Sequence, residues 1–160
     1  MRTIEGTGSA RGFRFAIVVS KFNDFVTERL EAGAVRALTA NGAEPDEMTV
    51  VRVPGAFEIP AAARHAALSG RFDAIVCLGC LIRGETAHFE YIASAVAHGI
   101  TEAAAATLIP MTFGVLTTNS AEEAIERAGD GPSNKGWEAA TAAIDMVGVV
   151  AQLRPGAATS

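Results

Sequence analysis

The strongest constraint on this chain is an alternation, repeated four times, of short apolar β-branched runs with longer stretches of helical periodicity. Phe13-Arg14-Phe15-Ala16-Ile17-Val18-Val19-Ser20 is the first run. The segment from Asp24 to Asn41 then carries Phe25, Leu30, Ala34 and Leu38 at helical spacing and closes on Asn41-Gly42. The same reading predicts strands over 49–53, 74–81 and 111–116 and helices over 57–68 and 87–106. An acidic helix over 121–127, a loop over 128–134 and a last helix from about 135 to 153 complete the pattern.

Strands that are apolar nearly throughout need cover on both faces, and strands separated by helices pair in parallel through right-handed crossovers. The expected architecture is a flavodoxin-like three-layer α/β/α sandwich around a four-stranded parallel sheet. A chain of 160 residues, 49% hydrophobic, supplies one core, so a single domain over 1–160 is expected. Its core spans about 13–153, with 1–12 and 154–160 as loose ends. The alanine runs 103–106 and 139–143 read as plain helix propensity.

Charge narrows the partners. Thirteen Lys and Arg against 18 Asp and Glu leave a formal −5, with no basic run to track a phosphate backbone, so nucleic acid is not expected. The opening Met1-Arg2-Thr3-Ile4-Glu5-Gly6 lacks the apolar core of a signal peptide, and nothing approaches the roughly 18 to 20 apolar residues of a membrane span. The expected location is the cytoplasm.

In open α/β sheets ligands collect at the carboxyl ends of the strands. After the first strand comes Lys21-Phe22-Asn23-Asp24, and after the second Pro54-Gly55-Ala56-Phe57-Glu58-Ile59-Pro60. A loop phenylalanine either folds back onto the core or is covered by something flat. Two of them at adjacent strand ends tilt the balance toward a pocket for a planar ligand. After the third strand, Gly84, Glu85 and Thr86 lead into a helix, where free backbone N–H groups and the positive end of the dipole suit an anion such as phosphate. Thr86 taken singly is more commonly a plain helix cap. His88 sits within reach of such a ligand, and an imidazole moves protons near neutral pH, whereas His65 and His98 lie mid-helix as surface or packing residues.

Cys77-Leu78-Gly79-Cys80 has the spacing of redox and zinc sites, but side chains three apart in a strand point to opposite faces. Cys77 therefore reads as core and Cys80 as pocket lining. No second Cys or His cluster completes a zinc site, and neither a dinucleotide-binding glycine fingerprint nor a Walker A loop is present, so no metal and no cofactor is expected.

Four segments, Pro54 to Pro60, Gly79 to Phe89, Phe113-Gly114-Val115-Leu116-Thr117-Thr118 and Asn134-Lys135-Gly136-Trp137-Glu138-Ala139-Ala140, resemble the lumazine synthase family in order and spacing, over about 13–153. That resemblance implies condensation of 5-amino-6-(D-ribitylamino)uracil with 3,4-dihydroxy-2-butanone 4-phosphate to 6,7-dimethyl-8-ribityllumazine, the penultimate step of riboflavin biosynthesis, without metal or cofactor. It implies that Phe22 stacks on the pyrimidine while Asn23, Ala56, Phe57, Glu58, Cys80, Leu81 and Ile82 hold its edge and ribityl chain. It assigns Gly84, Glu85 and Thr86 to the ketose phosphate and His88 to proton transfer. Arg127, as a cation on the phosphate, and Phe113, closing the pyrimidine pocket, are implied to reach in from a neighbouring subunit of a pentamer, with Lys135 as a further pyrimidine contact. Taken alone, Phe113 reads as strand packing and Arg127 as the partner of Glu123 one turn back.

The loop Gly129-Asp130-Gly131-Pro132-Ser133-Asn134 departs from the family's common form in its Asp-Gly-Pro-Ser portion, in a region that helps decide whether pentamers pack into a sixty-subunit icosahedral shell able to enclose riboflavin synthase. It is short and carries no insertion, which resembles the shell-forming members. Three other readings compete: a non-catalytic lumazine- or flavin-binding protein, a flavodoxin-like electron carrier and a structural cage subunit. His88, Thr86 and Arg127 together argue against the first, and Ser20-Lys21-Phe22-Asn23 is a poor flavin-phosphate loop.

Overall fold

A computed structural model describes residues 1–85 and 87–157. Four strands, β1 (Phe15–Ser20), β2 (Met48–Val53), β3 (Ala74–Ile82) and β4 (Met111–Thr118), form one parallel sheet in the order β2-β1-β3-β4. The helices are α1 (Asp24–Ala40), α2 (Ile59–Leu68), α3 (Phe89–Thr107), α4 (Ala121–Glu126) and α5 (Lys135–Leu153). This is the expected flavodoxin-like sandwich.

Side-chain alternation along each strand divides the interior in two. Phe15, Ile17 and Val19 of β1, with Leu78 of β3, pack against Leu30 and Leu38 of α1 and Ile144 of α5. Ala16 and Val18, with Ile75 and Cys77, pack on the other face against Ile59 of α2 and Val96 and Ile100 of α3. Every residue of β1 and β3 is buried, which is why both read as unbroken apolar runs, whereas β2 at the sheet edge is only partly covered. Gly114 lets α5 approach, since a Cβ there would press on Leu78 and Ala139.

Element ends shift by a residue or two from the sequence expectation. Helix α2 begins at Ile59 because Ala56–Glu58 forms a 3₁₀ turn, the Glu58 carboxylate accepting the Gly55 N–H at 2.9 Å. Helix α3 begins at Phe89, two residues later than expected. Residues 1–12 carry no helix or strand and are mostly exposed, and Glu5, Gly6 and Ala10 touch the body of the protein. Gln152 Nε2 donates to the Glu5 carbonyl, Ala10 is buried with its N–H on the Asn41 carbonyl, and Gly6 lies so close to Asp145 that a Cβ would collide. Among the described residues, no helix is long and apolar enough to cross a membrane.

Candidate active site

The strand order reverses between β1 and β3, and the loops at that switch point interlock. Lys21 N–H donates to the Val53 carbonyl at 2.8 Å and Phe22 N–H to the Pro54 carbonyl at 3.1 Å, zipping the two loops together. Asn23 then takes the left-handed conformation (φ 64°, ψ 45°), one that asparagine tolerates better than most residues. From there its Nδ2 donates to the Cys80 carbonyl at 3.0 Å and to Glu85 Oε2 at 3.1 Å. Both acceptors lack protons to give, so the amide nitrogen must face them. Asn23 therefore joins the loop after β1 to the loop after β3, a link that spacing alone did not reveal.

These loops enclose a concavity of about 250 Å³ lined by Phe22, Ala56, Phe57, Leu81, Ile82 and Glu85. Phe22 is 60% and Phe57 63% exposed, so neither folds back onto the core. Leu81 and Ile82 are buried at its floor. Cys80 departs from the expectation: its side chain is buried in the layer beneath α1 and α5, and only its carbonyl meets the site, through Asn23. Cys80 lies on the same face as Ile82 but two residues back from the strand's end, so its side chain packs in the core while Ile82 reaches the concavity.

Beyond β3 the chain turns at Gly84 (φ 92°), and Glu85 N–H donates to the Ile82 carbonyl at 3.3 Å. That N–H is thus not free for an anion as the sequence reading supposed. Gly84 and Glu85 stand before α3 rather than within its first turn, because the helix starts at Phe89 with His88 as the residue preceding it. Thr86 lies outside the described residues. Arg83 braces the turn, donating from Nε to Asn119 at 3.1 Å and pairing with Glu90 at 2.6 Å, its guanidinium 5.0 Å over the Phe89 ring. His88 is exposed, its ring 6.1 Å from that of Tyr91. His65 and His98 are exposed on α2 and α3.

Phe113, Arg127 and Lys135 gather elsewhere. They line an open groove of about 360 Å³ along β4, floored by Gly114 and Leu116 and walled by Glu138 and Ala139 of α5. No residue of this groove lines the first concavity. Phe113, at the sheet edge, is 49% exposed instead of packed. Arg127 pairs with Glu123 at 2.6 Å and Lys135 with Glu138 at 2.9 Å, and both cations line the groove. The Asn119 N–H and the Arg127 guanidinium hold the Glu123 carboxyl below its ordinary range and keep it charged. Ser120 caps α4 and Asn134 caps α5, accepting from Glu123 N–H and from Gly136 and Trp137 N–H respectively. The role of Asn134 escaped the sequence reading, though an asparagine just before a helical run was the available signal.

The two cysteines are buried within β3. Both are free, and they lie in opposite helical layers. Burial pushes the Cys77 thiol up to about 12, and burial with the nearby Glu85 charge does the same to Cys80, so both stay protonated at neutral pH. Among the described residues no cluster of His, Cys, Asp or Glu could hold a metal ion.

The sequence model of the 6,7-dimethyl-8-ribityllumazine synthase family matches residues 12–151. A 6,7-dimethyl-8-ribityllumazine synthase of Syntrophus aciditrophicus (strain SB) is 52% identical over 149 residues, covering 93% of this chain and 97% of the relative. Another, of Chlorobaculum parvum (strain DSM 263 / NCIMB 8327), is 50% identical over 153 residues, covering 96% and 98%.

Proposed function

The chain belongs to the 6,7-dimethyl-8-ribityllumazine synthase family, and from that premise we propose that its catalytic site is completed only between neighbouring subunits. The reaction is the condensation of 5-amino-6-(D-ribitylamino)uracil with 3,4-dihydroxy-2-butanone 4-phosphate, the penultimate step of riboflavin biosynthesis, and a non-catalytic binding or cage role is not favoured. One observation carries the shared site: the loop residues at the sheet's carboxyl end and the trio Phe113, Arg127 and Lys135 line two concavities with no residue in common. A groove on one subunit set against the concavity of the next unites them, as a closed ring of head-to-tail contacts does.

In this reading Phe22 and the neighbour's Phe113 sandwich the pyrimidine. Leu81, Ile82 and the Ala56-Phe57-Glu58 turn hold its edge and ribityl chain, with Lys135 as a further contact. Asn23 has spent both donor hydrogens, so it offers a ligand only its carbonyl oxygen. Gly84, Glu85 and Thr86 hold the ketose phosphate substrate, Gly84 and Thr86 at the phosphate and Glu85 at the adjoining hydroxyls, with Arg127 of the neighbour as the phosphate's cation. Glu85 is anionic and held by Asn23, which suits it to the sugar hydroxyls and leaves the phosphate charge to Arg127.

The 5-amino nitrogen attacks the ketone carbonyl, and loss of water gives an imine. A proton then leaves the adjacent carbon and phosphate departs with the C–O electron pair, giving an enol that returns to a ketone. The ribityl-bearing nitrogen closes on that carbonyl and a second water leaves. Each step needs a proton moved more than a strong acid or base, which is the work assigned to His88. Holding both reactants in one site supplies much of the remaining rate.

We place the enzyme in the cytoplasm as a single-domain pentamer. The short loop 129–134 favours packing of pentamers into an icosahedral shell able to enclose riboflavin synthase. The test of the shared site mixes subunits carrying Phe22→Ala with subunits carrying Arg127→Ala and follows the lumazine by absorbance and fluorescence. Partial recovery in mixed assemblies is expected. No recovery, in assemblies verified as mixed, points to a site built within one chain.

A further inference from the structure

Asn134 is buried with 0% exposure, and its carboxamide has no capacity to spare. Nδ2 donates to the Gly129 carbonyl at 2.8 Å and to the Arg29 carbonyl of α1 at 3.1 Å, while Oδ1 accepts the Gly136 and Trp137 N–H groups at 2.8 and 3.1 Å. Two partners can only accept and two can only donate, so one orientation satisfies all four. Space around the group is also specific. A Cβ on Gly33 of α1 would overlap the Asn134 carboxamide, and a Cβ on Gly136 would run into the Leu30 carbonyl. Two glycines thus bring α1, α5 and this one amide into contact.

What the amide fixes is the loop 128–134, and the ends of that loop are Arg127 and Lys135. Lys135 N–H donates to the Arg127 carbonyl at 2.9 Å and Asn134 N–H to the Gly131 carbonyl at 3.0 Å, so the loop is closed at its base. The Arg29 bond then ties that base to the body of the protein. Without it, the end of α4 and the start of α5 keep the loop's own turns and the core packing of Ala124, Ala128 and Ala139 but lose this hydrogen bond to α1, and a shift of about 1 Å in a substrate-positioning group is enough to cost a large part of its contribution.

We propose that Asn134 is a positioning residue, acting through Arg127 to set the cation that receives the ketose phosphate. This rests on the role of Arg127 proposed above. Asn134→Asp separates the two halves of the amide's work. A carboxylate still accepts from Gly136 and Trp137 at a helix N-terminus, where negative charge is favoured, so α5 keeps its start. The same carboxylate faces the Arg29 and Gly129 carbonyls with no donor, and the tether is lost. Gly33→Ala displaces the amide from the opposite side without altering its chemistry.

The experiment is a double-mutant cycle in the assembled enzyme, with folding and assembly of every variant checked by circular dichroism and size. Asn134→Asp and Gly33→Ala are each expected to raise KM for the ketose phosphate about tenfold, near the lower end for one charged hydrogen bond, with a smaller change for the pyrimidine. In the Arg127→Ala background, Asn134→Asp is expected to add little further. Lower Tm with an unchanged KM overturns the proposal, as does an Asn134→Asp effect that multiplies fully with that of Arg127→Ala. If Arg127→Ala alone leaves the ketose phosphate KM unchanged, the phosphate role of Arg127 falls, and the proposal with it. Failure of only the Asn134 arm leaves that role standing.

Discussion

The concavity at the sheet's carboxyl end and the groove along β4 are built on opposite plans. The first is made of loops locked to one another, Lys21 to Val53, Phe22 to Pro54 and Asn23 to Cys80 and Glu85. The second is made of regular structure, an edge strand and the ends of two helices, with its cations ion-paired to Glu123 and Glu138. Loops that surround a ligand must be held rigid by their own hydrogen bonds, because they have no ladder to do it for them. A groove on an edge strand is rigid already and lacks only something to cover it. An exposed phenylalanine and two cations on such a surface are compatible with one half of the shared site proposed above.

The largest expected effect tests that division directly. Arg127→Ala is expected to raise KM for the ketose phosphate roughly ten- to 150-fold, the cost of a charged hydrogen bond of about 1.5 to 3 kcal/mol, with little change for the pyrimidine. Phe22→Ala should do the reverse, raising KM for the pyrimidine by about 5- to 150-fold, since stacking of a base on an aromatic ring is worth roughly 1 to 3 kcal/mol. Steady-state kinetics with each substrate varied in turn decides it. Equal losses for both substrates in either variant would break the assignment of one reactant to each residue.

The two regions also differed in how far they could be read from the chain. Phe22, Phe57, Leu81, Ile82 and Glu85 all follow or end a strand, where an α/β sheet places its ligands, and sequence order alone brings them together. The fold was legible for the same reason, because unbroken apolar strands such as 15–20 require cover on both sides. Phe113 and Arg127 were not legible in this way. One sits mid-strand and the other ends a helix beside an acidic partner, and residue by residue packing and pairing are the better readings. Only resemblance raised them. Cys80 differs for a smaller reason: it lies two residues back from the strand's end, on the same face as Ile82, and the sequence does not say how far down the strand the concavity reaches. The bond from Asn23 to Glu85 spans 62 positions and has no periodic signature at all.

A smaller effect is expected at His88. General acid-base catalysis usually contributes about a hundred- to ten-thousand-fold, but here positioning shares the load, so His88→Ala should lower kcat by about a hundredfold or less with near-normal KM for both substrates. The pH–rate profile between pH 5 and 8 should change with it. Full activity with an unchanged profile would leave His88 as a structural residue at the start of α3.

The smallest effect belongs to a residue in neither region. Cys77 lies mid-strand under α2 and α3, on the opposite side of the sheet from Cys80, and nothing in the reaction uses it. Cys77→Ser buries a hydroxyl in place of a thiol and should cost about 1 to 3 kcal/mol of stability at neutral pH, with kcat and KM unchanged where the variant is folded. The cost should also depend on pH in a defined direction. The thiol is pushed from 9.0 to about 12 by burial, so above pH 9 the unfolded chain ionises at Cys77 while the folded protein still holds the proton. Stability from that site is complete below pH 9 and is lost progressively as pH rises toward 12. Serine does not titrate there, so the gap between the natural protein and the variant should narrow by about 1.4 kcal/mol per pH unit above 9. Cys80 ionises alike in both proteins and drops out of the difference. Denaturant unfolding at pH 7, 9 and 10 measures it, and a gap that stays constant or widens over that range would mean that Cys77 reaches solvent and titrates normally, which would reopen the sheet interior to thiol chemistry.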